Sequence, residues 1–195
     1  MKISKLNTSD LPQVNNMAFE AWKDAYAGQS QDFIEKVSEF IVRKNYYDNE
    51  YAYKIVEDGA IKAILFGCEK DEKNDALEWV GHQRKDLTGP ELVIMDNQID
   101  YLLKSDDLLA TYLTDNDIKL ALIISDKRGY GTEILKHFIT ESQVKGKDKM
   151  YLWTDSTCNH EYYPKRGFEE VLRIDNANAN KIEEAYQTLF YSKKI

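Results

Sequence analysis

The first fifty residues combine one alternating stretch with two stretches of helical periodicity. Residues 2–6 alternate around Ile3, which predicts a short opening strand. Apolar positions then recur every three or four residues, with Pro12 in the first turn, where helices leave N–H groups unpaired, and Gly28 after the last. A second such stripe begins near Gln31. Two single-sided helices are therefore predicted, with apolar faces Leu11, Val14, Met17, Ala18, Ala21, Trp22 and Ala25, and Phe33, Val37, Phe40 and Ile41.

The pattern changes at Tyr51, where apolar and polar residues begin to alternate. The pair Asp58-Gly59 is typical of a tight turn, and the apolar run from Ile61 to Phe66 returns along it, so this segment predicts a β-hairpin. Helical spacing resumes within residues 76–117, with Pro90 at a helix start. We interpret 76–117 as a helical insertion that covers one side of the sheet.

The C-terminal half alternates strands and helices. The run Ile118 to Ser125 is almost continuously apolar, as in a central strand, and is followed by a glycine-containing loop and a helix that starts before Ile134. The further predicted elements are a strand from Met150 to Thr154, a short helix from Asn159 to Lys165, a strand from Phe168 to Ile174 and a last strand around Tyr186 to Tyr191. This order predicts one mixed α/β domain over residues 1–195.

Composition limits the functions that such a domain can have. The chain has 195 residues, 43% of them hydrophobic, which is enough for a core and excludes a disordered chain. With 26 basic and 34 acidic residues the net charge is −8, which argues against nucleic acid as a partner. Two cysteines, Cys68 and Cys158, are too few for a disulfide scaffold. With no apolar run of membrane-spanning length and no signal-like N-terminus, we expect a cytoplasmic protein without a membrane partner.

The junction Gly129-Tyr130-Gly131 between strand and helix is the first candidate site. Glycines allow backbone N–H groups to approach a ligand, and the helix start adds its own unpaired N–H groups, so the junction is suited to a phosphate. The alternative is that the glycines only turn the chain. A dinucleotide fingerprint fails because Ile134 occupies the third glycine position, and no P-loop sequence occurs.

The segment from Thr154 to Phe168 is the second candidate site. Its Tyr163 suits either packing in the core or proton donation to a leaving group. Cys158 and His160 are close in sequence, but a nucleophilic pair requires spatial geometry. His160-Glu161 begins like a zinc-protease motif without its second histidine, so we expect no metal.

Together the two segments resemble the GCN5-related N-acetyltransferase (GNAT) family. Ile118 to Phe138 looks like that family's strand, acetyl-CoA loop and helix, and Tyr163-Pro164-Lys165-Arg166-Gly167-Phe168 is similar to its Tyr-x-x-x-Gly-Phe segment. The resemblance implies a single-domain α/β fold with a mixed, mostly antiparallel central sheet flanked by helices. It also implies an N-acetyltransferase, in which an amine attacks acetyl-CoA directly in a ternary complex.

The resemblance further implies roles for individual residues. Tyr163 corresponds to the general acid that protonates the departing thiolate. Ile123 and Ile124 correspond to the strand end that pairs with the pantetheine and polarises the thioester carbonyl. Asn159 is expected to hydrogen-bond the pantetheine arm. The backbone amides expected to cradle the coenzyme A pyrophosphate are those of Asp126, Lys127, Arg128, Gly129, Tyr130, Gly131 and Thr132.

Departures from the family pattern keep alternatives open. Asp126 stands where the family usually has Gln or Arg, and Asn159 is closer to Tyr163 than the family's asparagine. A non-catalytic acyl-CoA-binding sensor or interaction module on the same fold is therefore the second hypothesis, and a plain nucleotide-binding α/β domain is the third.

The partners are only partly defined by the sequence. The acceptor is expected to be a small-molecule or peptide amine, and a cationic one if the acidic runs Glu69 to Asp75 and Asp115 to Asp117 rim its site. The apolar residues Tyr186, Leu189, Phe190 and Tyr191 suit either the core or a homodimer interface.

Overall fold

The computed structural model describes residues 2–176 and 186–195, which contain seven strands and five α-helices. The strands are β1 (Lys2–Lys5), β2 (Ala52–Glu57), β3 (Ala60–Cys68), β4 (Asp117–Ser125), β5 (Lys149–Asp155), β6 (Glu169–Asn176) and β7 (Tyr186–Lys194). The helices are α1 (Leu11–Trp22), α2 (Gln31–Asn45), α3 (Ala76–Gln83), α4 (Gly89–Ala110) and α5 (Tyr130–Val144).

The strands form one sheet in the order β1-β2-β3-β4-β5-β7-β6. Neighbours are antiparallel except β4 and β5, which are parallel and joined by a crossover through α5. Parallel neighbours require such a crossover, because a short turn cannot bring the chain back to the same end of the sheet. This confirms the mixed, mostly antiparallel sheet flanked by helices that the sequence predicts.

Apolar clusters on both faces of the sheet hold the helices in place. On one face, Phe138 of α5 packs against Tyr51 and Tyr53 of the hairpin region, with ring centroids 6.0 and 6.3 Å apart. Gly67 is required there, since a Cβ at this position would lie 2.3 Å from the Phe138 ring. On the other face, α1 and α2 cover Ile64 and Phe66 of β3.

The predicted helical insertion forms α3 and α4. Both helices share an apolar cluster with α2, and α4 also packs on the sheet, where Leu109 meets Tyr151 of β5 and Phe190 of β7. Pro90 lies in the first turn of α4, as its sequence position predicts. Strand β7 lies between β5 and β6, and its apolar residues Leu189, Phe190 and Tyr191 are buried. These three side chains therefore belong to the core and not to a homodimer interface.

Two predicted helices differ in detail from the structure. Helix α1 ends at Trp22 and continues as a 3-10 turn over Lys23–Tyr26 before Gly28 adopts a φ of 92°. The short helix predicted from Asn159 to Lys165 is instead two 3-10 turns, His160–Tyr162 and Pro164–Arg166. Pro164 has no N–H to donate to the carbonyl four residues earlier, so a continuous α-helix cannot form there. Among the described residues, no helix is both long and apolar enough to cross a membrane.

A buried carboxylate joins α4 to three other elements. Asp106 accepts hydrogen bonds from Lys119 of β4 at 2.5 Å, from the Trp153 indole of β5 at 2.7 Å, and from Lys44 of α2. Burial alone would raise the pKa of Asp106, but the Lys119 and Lys44 ammonium groups outweigh it and hold that pKa below its usual value. This cluster positions α4 over the point where β4 and β5 meet.

We expect Asp106→Asn to lower the free energy of unfolding by about 3–5 kcal/mol, because it leaves two buried ammonium groups without their counter-charge. Denaturant unfolding at neutral pH measures this loss. The loss should persist above pH about 4 and shrink only in stronger acid, since the folded-state pKa lies below that of the unfolded chain. Asp107→Asn, at the exposed neighbouring position, is the control and should change stability by about 0.5 kcal/mol or less. Equal losses would contradict the role given to the cluster.

Candidate functional site

A cavity of about 360 Å³ lies where β4 and β5 separate. Among the described residues the parallel ladder consists of the pairs Asp117–Lys149, Ile118–Met150 and Lys119–Tyr151. Beyond these pairs the two strands form opposite walls, from Leu120 on one side and Trp153 on the other. The edge of β4 that faces the cavity therefore offers backbone groups to an extended, amide-bearing ligand.

A β-bulge lies at the start of the β4 wall. Phe66 of β3 pairs with Leu122 and Gly67 pairs with Leu120, so Ala121 is an extra residue without a partner in this ladder. Bulges redirect the backbone and often occur beside active sites. Ile123 lines the cavity, whereas the Ile124 side chain packs on the opposite face beneath α1 and α2.

The glycine-containing loop uses some of its amides internally. The N–H groups of Asp126, Tyr130 and Thr132 donate to the carbonyls of Lys62, Lys127 and Gly129 at 3.1–3.2 Å. The N–H groups without an acceptor among the described residues are those of Lys127, Arg128, Gly129 and Gly131. Four of the seven amides expected to form the cradle are thus free to bind an anion.

The charges of the loop are largely paired on its outer side. Asp126 lies 3.3 Å from the Lys62 ammonium, and Lys127 lies 2.5 Å from the Glu57 carboxylate, which also accepts from the Tyr130 hydroxyl at 2.6 Å. These two hydrogen bonds hold the pKa of Glu57 below its usual value. Arg128 has no ion-pair partner within the described part of the chain. The negative charge of Asp126 is therefore offset, and the loop has a positive excess.

Two further side chains approach the start of α5 from the second segment. Arg166 donates to the Thr132 hydroxyl at 2.6 Å, and its guanidinium carbon lies 3.4 Å from the Tyr162 ring centroid. The Tyr162 hydroxyl and the Arg166 Nε are buried without a hydrogen-bond partner in the described residues. Buried polar groups are normally satisfied, so unpaired donors beside a helix N-terminus favour a bound anion.

Tyr162 and Arg166 are not among the site residues that the sequence predicts. The available signal was the pair Tyr162-Tyr163, because two adjacent tyrosines on a short helical turn cannot both point into the same core. In the structure Tyr163 packs in the core, whereas the Tyr162 hydroxyl points toward Gly131. It lies 3.7 Å from the position that a Cβ on Gly131 would occupy.

Tyr163 both packs in the core and lines the cavity. Its ring packs against Tyr162, Phe168 and Tyr191, with centroids 5.3–5.8 Å apart, and the residue is 9% exposed. It also lines the cavity. Burial raises the pKa of the Tyr163 hydroxyl above its usual value, so the hydroxyl is protonated at neutral pH and is a weaker acid than an exposed phenol.

The neighbouring loop contributes Asn159 and Cys158 to the cavity wall. Asn159 is exposed, and its carbonyl accepts from the Tyr162 N–H at 3.1 Å. Desolvation, followed by the nearby Asp155 carboxylate, raises the pKa of Cys158 to about 11, so this thiol is a poor nucleophile at neutral pH. Among the described residues no three His, Cys, Asp or Glu side chains are grouped to hold a metal ion.

The cavity extends onto the face of the sheet that α2 and α4 cover. Its wall there is mainly aromatic and aliphatic, and Asp155 of β5 is the charged side chain that lines it among the described residues. Neither acidic run considered in the sequence contributes to the lining. Glu69 bonds Tyr51 and Lys147, and Asp117 accepts from Thr114.

No protein-family model and no curated protein matches this sequence. Solved structures do match over the whole chain. A ribosomal-protein-alanine N-acetyltransferase from Brucella melitensis is 12% identical, with 100% of both chains covered and a TM-score of 0.58. An aminoglycoside 6'-N-acetyltransferase from Enterococcus faecium is 13% identical, covering 100% of this chain and 97% of the other, with a TM-score of 0.54. An agmatine N-acetyltransferase is 8% identical, covering 100% and 99%, with a TM-score of 0.59.

These likenesses establish the fold. The chain has the GNAT fold, as its two motifs predicted, although its sequence has diverged to 8–15% identity with the structures that share it.

The two glycines of the loop should respond differently to alanine. Gly129 has a φ of 93°, where a Cβ is strained, so Gly129→Ala should destabilise the fold by about 1–2 kcal/mol. Gly131 lies in the first turn of α5, with its nearest neighbour 3.6 Å from the added Cβ, so Gly131→Ala should change stability by less than about 1 kcal/mol. Thermal unfolding of both variants measures the difference. Equal destabilisation would contradict the left-handed turn at Gly129.

Proposed function

We propose that this protein is an acyltransferase that moves the acetyl group of acetyl-CoA to a primary amine. The observation that carries the proposal is the cavity between β4 and β5, which ends at unpaired donors around the start of α5. An unpaired strand edge followed by an anion pocket suits a ligand with an amide-containing arm and a pyrophosphate. Acetyl-CoA has both.

In this proposal the loop and the second segment bind the pyrophosphate together. The free N–H groups of Lys127, Arg128, Gly129 and Gly131 donate to it, and the macrodipole of α5 favours its charge. Arg128 and Arg166 supply positive charge that Asp126 cannot, since Asp126 is paired with Lys62. Asp126, Tyr130 and Thr132, whose amides are used within the protein, shape the loop and do not contact the ligand through those groups.

The pantetheine arm pairs with the exposed edge of β4 at Ile123 and Ile124, and Asn159 bonds it from the opposite wall. The neutral amine attacks the thioester carbonyl, whose oxygen is polarised by backbone N–H groups of β4. A C–N bond forms, the C–S bond breaks, and Tyr163 transfers its proton to the departing thiolate. An acceptor that arrives as an ammonium first loses one proton to solvent. After the attack its nitrogen loses a second proton to solvent, and solvent reprotonates the Tyr163 phenolate, so no covalent enzyme intermediate is formed.

We propose that residues 1–195 act as one domain in which the insertion 76–117 shapes the acceptor side. Gln98, Tyr101 and Leu102 of α4 line the cavity, and Asp106 ties that helix to both strands that form its walls. The acceptor therefore enters against α4, on the face opposite to α5.

A non-catalytic acyl-CoA-binding module is the second candidate, favoured by Asp126 in place of the family's Gln or Arg. It predicts acetyl-CoA binding without acetyl transfer to any amine. If the protein is the proposed enzyme, it should both bind acetyl-CoA and transfer the acetyl group to an amine.

Tyr163→Phe should lower kcat by about 10²- to 10⁴-fold, because it removes the proton donor and keeps the ring packing. Release of free coenzyme A in the presence of an amine measures the rate. Tyr191→Phe is the matched control, since Tyr191 packs 5.8 Å from Tyr163 and does not line the cavity. An unchanged rate in Tyr163→Phe would remove the residue from the mechanism.

Gly131→Ala should weaken acetyl-CoA binding by about tenfold or more, because its Cβ enters the space between Ser125 and the Tyr162 hydroxyl. Calorimetric titration with acetyl-CoA measures the affinity. Gly81→Ala, on α3 and with no atom within 4 Å of the added Cβ, serves as the control and should bind like the wild type. Unaltered affinity in Gly131→Ala would place the ligand elsewhere.

A further inference from the structure

We infer that the acceptor is a small primary amine with one cationic centre on an apolar body, bound with its ammonium at Asp155 and its body against Trp22, Tyr101 and Trp153. This rests on the proposed function and deepens it by naming the acceptor class. We call the part of the cavity on the α2 and α4 side the acceptor chamber; these four residues, Gln98 and Asn45 line it.

The alternation of β5 places the aromatic wall and the carboxylate on one face. Trp153 and Asp155 are two residues apart in the strand, so both side chains point away from α5. Trp153 faces α4, where its ring centroid lies 5.4 Å from that of Tyr101 and its indole donates to Asp106. Asp155 follows on the same side, as the last residue of β5.

The aromatic side chains of the chamber are held in place before any ligand arrives. The Tyr101 hydroxyl lies 3.2 Å from that of Thr188, and its ring meets Tyr186 edge to face at 5.7 Å. The Tyr26 hydroxyl donates to Gln98 at 3.2 Å, which ties the turn after α1 to α4. A wall fixed in this way loses little conformational entropy on binding, which favours an apolar ligand body.

Asp155 is a carboxylate without an ion-pair partner in the described residues. Its Oδ1 accepts from the backbone N–H groups of Thr157 and Cys158 and from the Thr157 hydroxyl, which orients it. The pKa values of Tyr26 and Tyr101 are raised, mainly by burial and secondly by the negative charge of Asp155. A negative group among aromatic rings attracts a cation, both directly and through the ring faces.

The same features disfavour larger and more highly charged acceptors. The chamber offers a single carboxylate, and its amides Asn45 and Gln98 are neutral, so a polycation would leave further ammonium groups unpaired. A peptide would place its backbone amides against aromatic and aliphatic walls, where they lack partners. The cavity of about 360 Å³ must also receive the thioester, which leaves room for a small body.

The test compares matched ligands by calorimetric titration into the wild-type protein. Phenethylamine carries the ammonium and the apolar body, 2-phenylethanol keeps the body without the charge, and ethylamine keeps the charge without the body. Phenethylamine should bind about 10- to 100-fold more tightly than 2-phenylethanol, the range expected of a charge-assisted hydrogen bond. It should also bind at least about tenfold more tightly than ethylamine.

Asp155→Asn should abolish the advantage of phenethylamine over 2-phenylethanol, since the amide keeps an acceptor for the Thr157 and Cys158 N–H groups and removes the charge. Asp100→Asn is the control, because Asp100 lies on α4 and pairs with Lys104 at the exposed surface. Equal binding of phenethylamine and 2-phenylethanol, or an unaffected preference in Asp155→Asn, would overturn the inference.

A turnover arm separates this inference from the proposed function. Coenzyme A release is measured with phenethylamine, kanamycin and an alanine-initiated peptide, each with acetyl-CoA. Transfer to kanamycin or the peptide in preference to phenethylamine overturns the acceptor class and leaves the enzyme in place. Asp155-dependent phenethylamine binding without transfer to any of the three amines supports the chamber and contradicts the proposed reaction.

Discussion

The separation of β4 from β5 is the constraint on which the rest of this structure depends. Because β4 and β5 are parallel, the chain must cross over between them, and α5 forms this crossover. The N-terminus of α5 therefore lies just after the end of β4. The ladder then stops after Lys119 and Tyr151 in the described chain, while the bulge at Ala121 turns the β4 backbone. The Asp106 cluster holds α4 at this branch point. One break in the sheet thereby creates a cavity that is lined by residues from both faces of the sheet.

The two ends of this cavity have opposite electrostatic character. At the α5 end, the free loop amides, the Arg166 Nε and the Tyr162 hydroxyl are donors without acceptors among the described residues, and Arg128 has no ion-pair partner there. At the α4 end, Asp155 is an acceptor among aromatic rings. A single cavity with this polarity suits an anionic cosubstrate and a cationic acceptor that approach from opposite sides. Tyr163 lines the same cavity.

Much of the fold could be predicted from local sequence signals, and the site only in part. The apolar run Ile118 to Ser125, the glycine pair and the Tyr163 segment suffice to predict the mixed, mostly antiparallel fold, because each is a local pattern. The order of the strands in the sheet depends on pairings between distant residues and was not predicted. The offset of Asp126 by Lys62 could not be predicted, since the pair joins residues 64 positions apart across a strand pairing. Arg166 was missed for the same reason, since its partner Thr132 is 34 positions away. Asp155 bonds its neighbours Thr157 and Cys158, but the cavity that it lines is formed only by the tertiary fold.

A thermal melt of the wild-type protein with acetyl-CoA, NAD or ATP tests whether the cavity between β4 and β5 binds the cosubstrate. A ligand present at about 100 times its Kd stabilises the folded state by about 2.7 kcal/mol, a shift of several degrees. The account predicts this shift with acetyl-CoA and none with NAD or ATP. No shift at millimolar acetyl-CoA, or an equal shift with ATP, would contradict it, because the β4–β5 cavity would then lack the cosubstrate on which the proposed reaction depends.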